Sequence, residues 1–313
     1  MFYADRMRTL IDLWRKETGN PSLPVYQVEI APYKQNGTLD GLESAILREQ
    51  QRLCAEKTDN CWIISTNDLV FPYEQTQIHP AKKREVGERL SYLALNHTYG
   101  LDYFPGAAPS YSSMDFEGST IVLSFDGVQQ AGGFNRDSEI EGFEICGPDL
   151  KWHKAEASVM PYVGTFTVSS PEVSDPVAVR YSFRNFLPGN LAGANGLAVH
   201  PFRTDRLLEG EKPLGKDDIP DGDFEGRWTG TGVLAGLDNQ PISIDVTFRK
   251  GQDGKWTCSI PGKQDQEAFV TGDRISFNGD MGGMSLPMRL KYHKDGSVWA
   301  EIMGNPVVEL HRQ

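Results

Sequence analysis

The chain has 313 residues, and its 43 acidic against 31 basic side chains give a formal net charge of -12. That length exceeds one small core and divides into two or three domains, while an acidic balance without Lys/Arg runs argues against nucleic acid as a partner, since phosphate binding needs a basic surface. No stretch approaches the roughly 18 consecutive apolar residues of a membrane span, and Met1-Phe2-Tyr3-Ala4-Asp5-Arg6 lacks the regions of a secretory signal, so the chain as written is expected to stay in the cytoplasm.

Residues 3–17 read as an amphipathic helix with Met7, Leu10, Ile11 and Trp14 on one stripe, stopped by Gly19-Asn20-Pro21. A strand is expected over 23–30 and a second helix over 39–56, with Leu42, Ile46, Leu53 and Cys54 facing inward. Cys61-Trp62-Ile63-Ile64-Ser65 is the short apolar run of a parallel strand covered on both faces, and Thr66-Asn67-Asp68 leaves it with turn chemistry. Pro80 suits a first helical position, and Val86, Leu90, Leu93 and Ala94 follow at helical spacing, which puts His79 at the N-cap of a third helix. In open α/β sheets ligands bind at that carboxyl edge of the strands. A helix N-terminus disfavours imidazolium, so a neutral His79 there is a usable general base; a plain capping or packing role is the alternative. The order helix, strand, helix, strand, helix is the rhythm of a parallel sheet. Two strands are fewer than an independent sheet needs, so residues 23–30 are expected to present an open edge unless another segment covers them.

From about residue 105 the pattern changes to short alternating runs at 120–125, 142–146, 157–159, 165–168 and 178–183, separated by Gly, Pro, Asp and Asn, as in a β-sandwich. Phe134, Asn135, Trp152, Asn185, Phe186, Asn190 and Asn195 are candidates to line a sugar surface, with turn or core roles as the alternative. Residues 206–223 are charged and rich in Pro, Gly and Asp, a linker. After Gly226-Arg227-Trp228-Thr229-Gly230, strands at 242–249, 255–260, 268–271, 274–278, 286–292, 297–302 and 307–310 predict a meandering antiparallel barrel or half-barrel over 224–313, filled by Phe248, Trp256, Phe269, Phe277 and Trp299. Cys54, Cys61, Cys146 and Cys258 lack metal-ligand spacing and read as buried thiols, a Cys54–Cys61 bridge being the alternative. No metal or other cofactor is implied, and His97, His153, His200, His293 and His311 read as surface or packing residues.

Gln77-Ile78-His79-Pro80-Ala81-Lys82-Lys83-Arg84-Glu85-Val86-Gly87-Glu88-Arg89-Leu90 resembles the final catalytic block of the sialate O-acetylesterases, a branch of the SGNH/GDSL esterases. Trp14-Arg15, Leu23-Pro24-Val25-Tyr26-Gln27-Val28-Glu29-Ile30-Ala31-Pro32-Tyr33, Leu47-Arg48-Glu49-Gln50-Gln51, Val177-Ala178-Val179-Arg180-Tyr181 and His200-Pro201-Phe202-Arg203-Thr204-Asp205 carry the likeness, in the family's order, to about residue 205. The resemblance implies a multidomain α/β plus all-β protein. Residues 1–104 would be the C-terminal part of an SGNH (flavodoxin-like) α/β/α domain and 105–205 an accessory β-sandwich. Beyond the 206–223 linker, the Gly226-Arg227-Trp228-Thr229-Gly230 opening is itself similar to that of lipocalin-type or half-barrel accessory domains of bacterial hydrolases, which makes 224–313 a lipocalin-like β-domain.

The esterase resemblance further implies a carboxylic ester hydrolase acting on O-acetyl esters of sialic acid or other glycans by a Ser-His(-Asp) mechanism. His79 would be the acid/base, and Asp68 the carboxylate that orients it, with Glu74 or a backbone carbonyl as rivals and turn formation as the bland role of Asp68. The family's Gly-Asp-Ser or Gly-Gln-Ser block, its oxyanion glycine and its asparagine all precede the segment matched here. Ser22, Ser44, Ser65 and Ser91 lack the tight Gly-rich turn that exposes a nucleophile. The expected partners are therefore an acetylated carbohydrate and an N-terminal esterase segment that supplies the serine. The alternative function is a non-catalytic carbohydrate-binding or interaction protein derived from an esterase. Full-length members of the family are often periplasmic or secreted.

Overall fold

The structure, a computed structural model, is described over residues 3–34, 41–135, 139–160, 165–205, 222–234, 240–271, 273–281, 284–292, 297–302 and 305–313. Most of the expected linker, 206–221, and His293 lie outside the described residues.

The first part is an α/β layer. Strands β1 (Val25–Val28) and β2 (Cys61–Ile64) pair in parallel, Val25 opposite Cys61 and Val28 opposite Ile64. Alternation divides their side chains between two helical layers. Val25, Cys61 and Ile63 pack on α1 (Tyr3–Thr18) and α2 (Glu43–Glu56), whereas Tyr26, Val28, Trp62 and Ile64 pack on α3 (Lys83–His97). Arg15 ties both strand starts to α1 by donating to the carbonyls of Leu23 and Asp59.

Two expectations about helix faces are corrected. On α1 the covered stripe is Ala4, Met7 and Ile11, while Leu10, Leu13 and Trp14 are 38%, 49% and 42% exposed. A strand pair is too narrow to cover two apolar stripes. On α2 the inward face is largely polar: Ser44, Arg48 and Gln51 are buried beside Ala45, Cys54 and Ala55, and Ile46 and Leu53 are only partly covered.

Next come two antiparallel four-stranded sheets. One contains β3 (Ser110–Glu117), β4 (Thr120–Asp126), β8 (Thr165–Ser169) and β7 (Glu156–Met160); the other contains β10 (Phe202–Arg203), β9 (Ala178–Tyr181), β5 (Phe143–Cys146) and β6 (Trp152–Lys154). Facing residues such as Phe125, Phe166, Phe143, Tyr181 and Phe202 form one core. Behind it Arg180 and Asp205, both buried, form an ion pair, and Trp152 stacks on Arg180. The proposed sugar-lining amides have structural partners. Asn185 binds Ser44 N and Glu43, Asn190 bridges Glu139 and Glu141, Asn195 bridges Ala107 and Leu197, and Phe134 is buried.

The last part is a closed antiparallel eight-stranded barrel in meander order: β11 (Gly226–Leu234), β12 (Gln240–Lys250), β13 (Trp256–Ser259), β14 (Gln266–Thr271), β15 (Arg274–Met281), β16 (Met284–Tyr292), β17 (Val298–Ile302) and β18 (Asn305–Arg312). A Cβ on Gly230 would strike the Glu309 carbonyl, so the glycine lets β11 approach β18 where the barrel closes. Phe248, Trp256 and Phe277 fill the interior with Phe224, Trp228 and Leu290. Phe269 and Trp299 do not, and this corrects the expectation. Their neighbours Ala268, Val298 and Ala300 point inward, and with a period of two that turns both aromatics outward. Phe277→Ala is therefore expected to destabilise the protein by about 3–5 kcal/mol and Phe269→Ala by within about 0.5 kcal/mol, compared in chemical denaturation; equal losses would contradict this register.

Candidate active site

Strand β1 leads at its carboxyl end into Glu29 to Tyr33, and β2 leads into Ser65 to Val70. Between these exits and the starts of α2 and α3 lies a cavity of about 380 Å³, lined by Glu29, Tyr33, Leu47, Thr66, Ile78 and Pro80 among others. This is the edge at which open α/β sheets bind ligands.

His79 lies on the loop beside this cavity. Its neighbours Ile78 and Pro80 line the wall, and the imidazole itself is exposed. It is not a helix cap: α3 begins at Lys83 and its N-cap is Lys82. The reason is Glu74, a buried carboxylate on the turn Pro72–Glu74, which accepts from Phe71 N at 2.8 Å and Ala81 N at 2.9 Å. Those bonds hold the chain in a closed loop until residue 81 and leave the helix to start after it. His79 is thus displayed by a clamp, and the dipole argument for its neutrality loses its basis. Backbone donors engage both Glu74 oxygens, so this carboxylate positions the loop, and it is not hydrogen-bonded to the imidazole among the described residues.

Asp68 is also engaged elsewhere. Arg89, from the inner face of α3, grips it with a fork of 2.7 and 2.5 Å and also donates to Ser65 O at 2.9 Å. Lys82 Nζ adds a bond to the Asp68 carbonyl. The bidentate pair joins α3 to the exit of β2. Asp68 and His79 are not hydrogen-bonded to each other among the described residues, and the imidazole has no carboxylate partner there.

A group that sequence reasoning missed lies deeper. The Glu29 side chain is fully buried, with Oε1 accepting from His200 Nδ1 at 2.6 Å and Oε2 unpartnered among the described residues. His200 is therefore more than a packing residue. Arg48 is also fully buried and donates through Nη2 to the carbonyls of Ser182 and Arg184, while Nε and Nη1 lack partners among the described residues. Burial pulls its guanidinium down to about 10, against the opposing pull of Glu29. The available signal was the polar series Ser44, Arg48 and Gln51 at helical spacing along the inward stripe of α2. Gln51 also covers the outer edge of β1, accepting from Ile30 N at 3.0 Å and reaching Val28 O at 3.5 Å. The strand has no partner strand on that side among the described residues.

No group of three or more His, Cys, Asp or Glu is placed to hold a metal ion among the described residues. The cysteines are free and buried, and Gln27 donates to Cys61 Sγ at 3.0 Å. Among the described residues no helix is long and apolar enough to cross a membrane.

Three helices around a parallel strand pair, with a crevice at its carboxyl edge, define residues 3–97 as a segment of an open α/β fold followed by β-modules. Residues 1–96 match the profile of the family described as carbohydrate esterase, sialic acid-specific acetylesterase. The crystal structure of a carbohydrate acetylesterase from Xanthomonas citri matches with a TM-score of 0.58 and 33% identity over 65% of this chain. The match covers 46% of that protein, so the chain spans under half the length of its relative. No curated protein matches.

The clamp yields a direct test. Glu74→Ala is expected to speed hydrogen exchange at the Phe71 and Ala81 amides by about tenfold or more, since a bond to a charged acceptor contributes about 1.5–3 kcal/mol. Asp68→Asn, which loosens the Arg89 fork alone, should leave those amides unchanged.

Proposed function

We propose that this chain is the histidine-bearing portion of a carbohydrate esterase that removes O-acetyl groups from sialic acid or another glycan. The observation that carries the reading is the family match over residues 1–96, within which His79 is exposed beside the crevice at the carboxyl edge of the strands. His79 takes the proton from a serine hydroxyl as that oxygen attacks the acetyl carbonyl, then returns it to the departing sugar alkoxide; water repeats the sequence to release acetate. Asp68 anchors α3, the helix that follows the histidine loop, through Arg89.

The serine comes from a segment other than the described one. Ser65 Oγ donates to Asn67, Ser91 Oγ donates to the Glu88 carbonyl, and neither is bonded to His79. Two surfaces support such a segment: the outer edge of β1, which no strand covers among the described residues and which the Gln51 amide meets, and the exposed Leu10, Leu13 and Trp14 on α1. Both are features that a neighbouring strand and helix would cover.

When the chain is combined with a serine-bearing N-terminal segment from an esterase of the matching family, hydrolysis of 4-nitrophenyl acetate and of O-acetylated N-acetylneuraminic acid is expected. His79→Ala should lower kcat by about 10²–10⁴-fold. Full activity in that variant would remove His79 from the mechanism. An inactive native-sequence assembly that still binds the acetylated sugar would favour a non-catalytic binding protein instead.

A further inference from the structure

The barrel docks on the β3–β4 hairpin through charged side chains. Arg274, from β15, pairs with buried Asp115 and donates to Met114 O at 3.2 Å. Arg289, from β16, reaches Asp115 at 3.3 Å and Glu117 at 2.8 Å. Beside this joint is a cavity of about 680 Å³, separate from the crevice near His79 and within the roughly 300–1,000 Å³ range of small-ligand sites. Phe269 lines it while 61% exposed, whereas Trp256 only borders it, its side chain being turned into the barrel.

Phe269 contributes little to the barrel core, because Ala268 occupies the inward position of that strand. An exposed phenyl ring on a polar surface is an adhesive element. Around it the charges balance: acidic Asp115, Glu117 and Glu267 face basic Lys255, Arg274 and Arg289. The buried Asp115–Arg274 pair holds the joint. Nearer the rim, the exposed carboxylate of Glu117 and the Lys255–Glu267 pair, 3.8 Å apart, keep donors and acceptors in contact with solvent. A charged ligand finds no net opposing charge here, and a purely apolar one would strip water from ion pairs without replacing its bonds. A chain of pyranose rings meets both conditions, with C–H faces for the aromatic wall and hydroxyl edges that donate and accept.

We infer that the cleft between the β3–β4 hairpin and the barrel is a binding site for a neutral oligosaccharide, built around Phe269, Glu117 and Glu267. The inference stands on this cleft's chemistry and not on hydrolysis at His79, so the two can fail separately. The test is calorimetric titration of the intact chain with xylohexaose, mannohexaose and cellohexaose, with sialyllactose as a charged probe. At least one neutral hexasaccharide should bind. Phe269→Ala should weaken that binding by about tenfold while leaving the circular dichroism spectrum unchanged, and Glu267→Gln, on the rim, should weaken it by several-fold. Failure of all three neutral sugars to bind, binding of sialyllactose alone, or undiminished binding by Phe269→Ala would overturn the inference.

Discussion

The arrangement of the first two parts depends on a buried polar seam between the α/β layer and the first pair of sheets. Arg48 and Glu29 lie wholly inside it, and their contacts reach across: Arg48 to the Ser182 and Arg184 carbonyls, and Glu29 to His200. Asn67 donates to the Val199 carbonyl, Asn185 binds Ser44 N, and Arg203 forks onto Glu49. Ions in such a place gain little net energy over apolar packing, but losing one partner leaves a desolvated charge. The seam therefore favours one relative placement of the two units. Glu29, His200 and Arg48 derive their positions from both.

That placement matters because the candidate site is made of connections. The residues bordering the crevice leave β1 and β2 or approach α2 and α3, and no single element contains the whole site. Two of the carboxylates beside it serve architecture. Glu74 closes the loop that displays His79, and Asp68 holds the helix that follows. An imidazole presented in this way is accessible to a group brought by another segment.

The barrel is stabilised differently. Its interior is apolar and closed, and its contacts with the preceding sheets are charged side chains on its outer surface. A unit that fills its own centre has only its exterior for recognition, so the aromatic that faces the joint draws attention to that surface.

Periodicity and turn residues made most elements legible. The runs at 120–125, 165–168 and 274–278 became β4, β8 and β15 with small shifts at the ends, and the barrel meander followed from its hairpins. Strand β3 was missed because Ser110 to Glu117 mixes serines with acidic residues and shows no clean alternation. His79 was legible as a displayed histidine but not as a loop residue, because the Glu74 clamp joins groups seven residues apart and leaves no periodic trace. By itself the sequence determined the element types, the order of the modules and the family block around His79, all of which reside in local spacing. Only the tertiary structure decided which stripe of α1 and α2 is covered, that Asp68 meets Arg89, and that Glu29, Arg48 and His200 share one interior. These are contacts between distant segments, and they are set by what packs against each face.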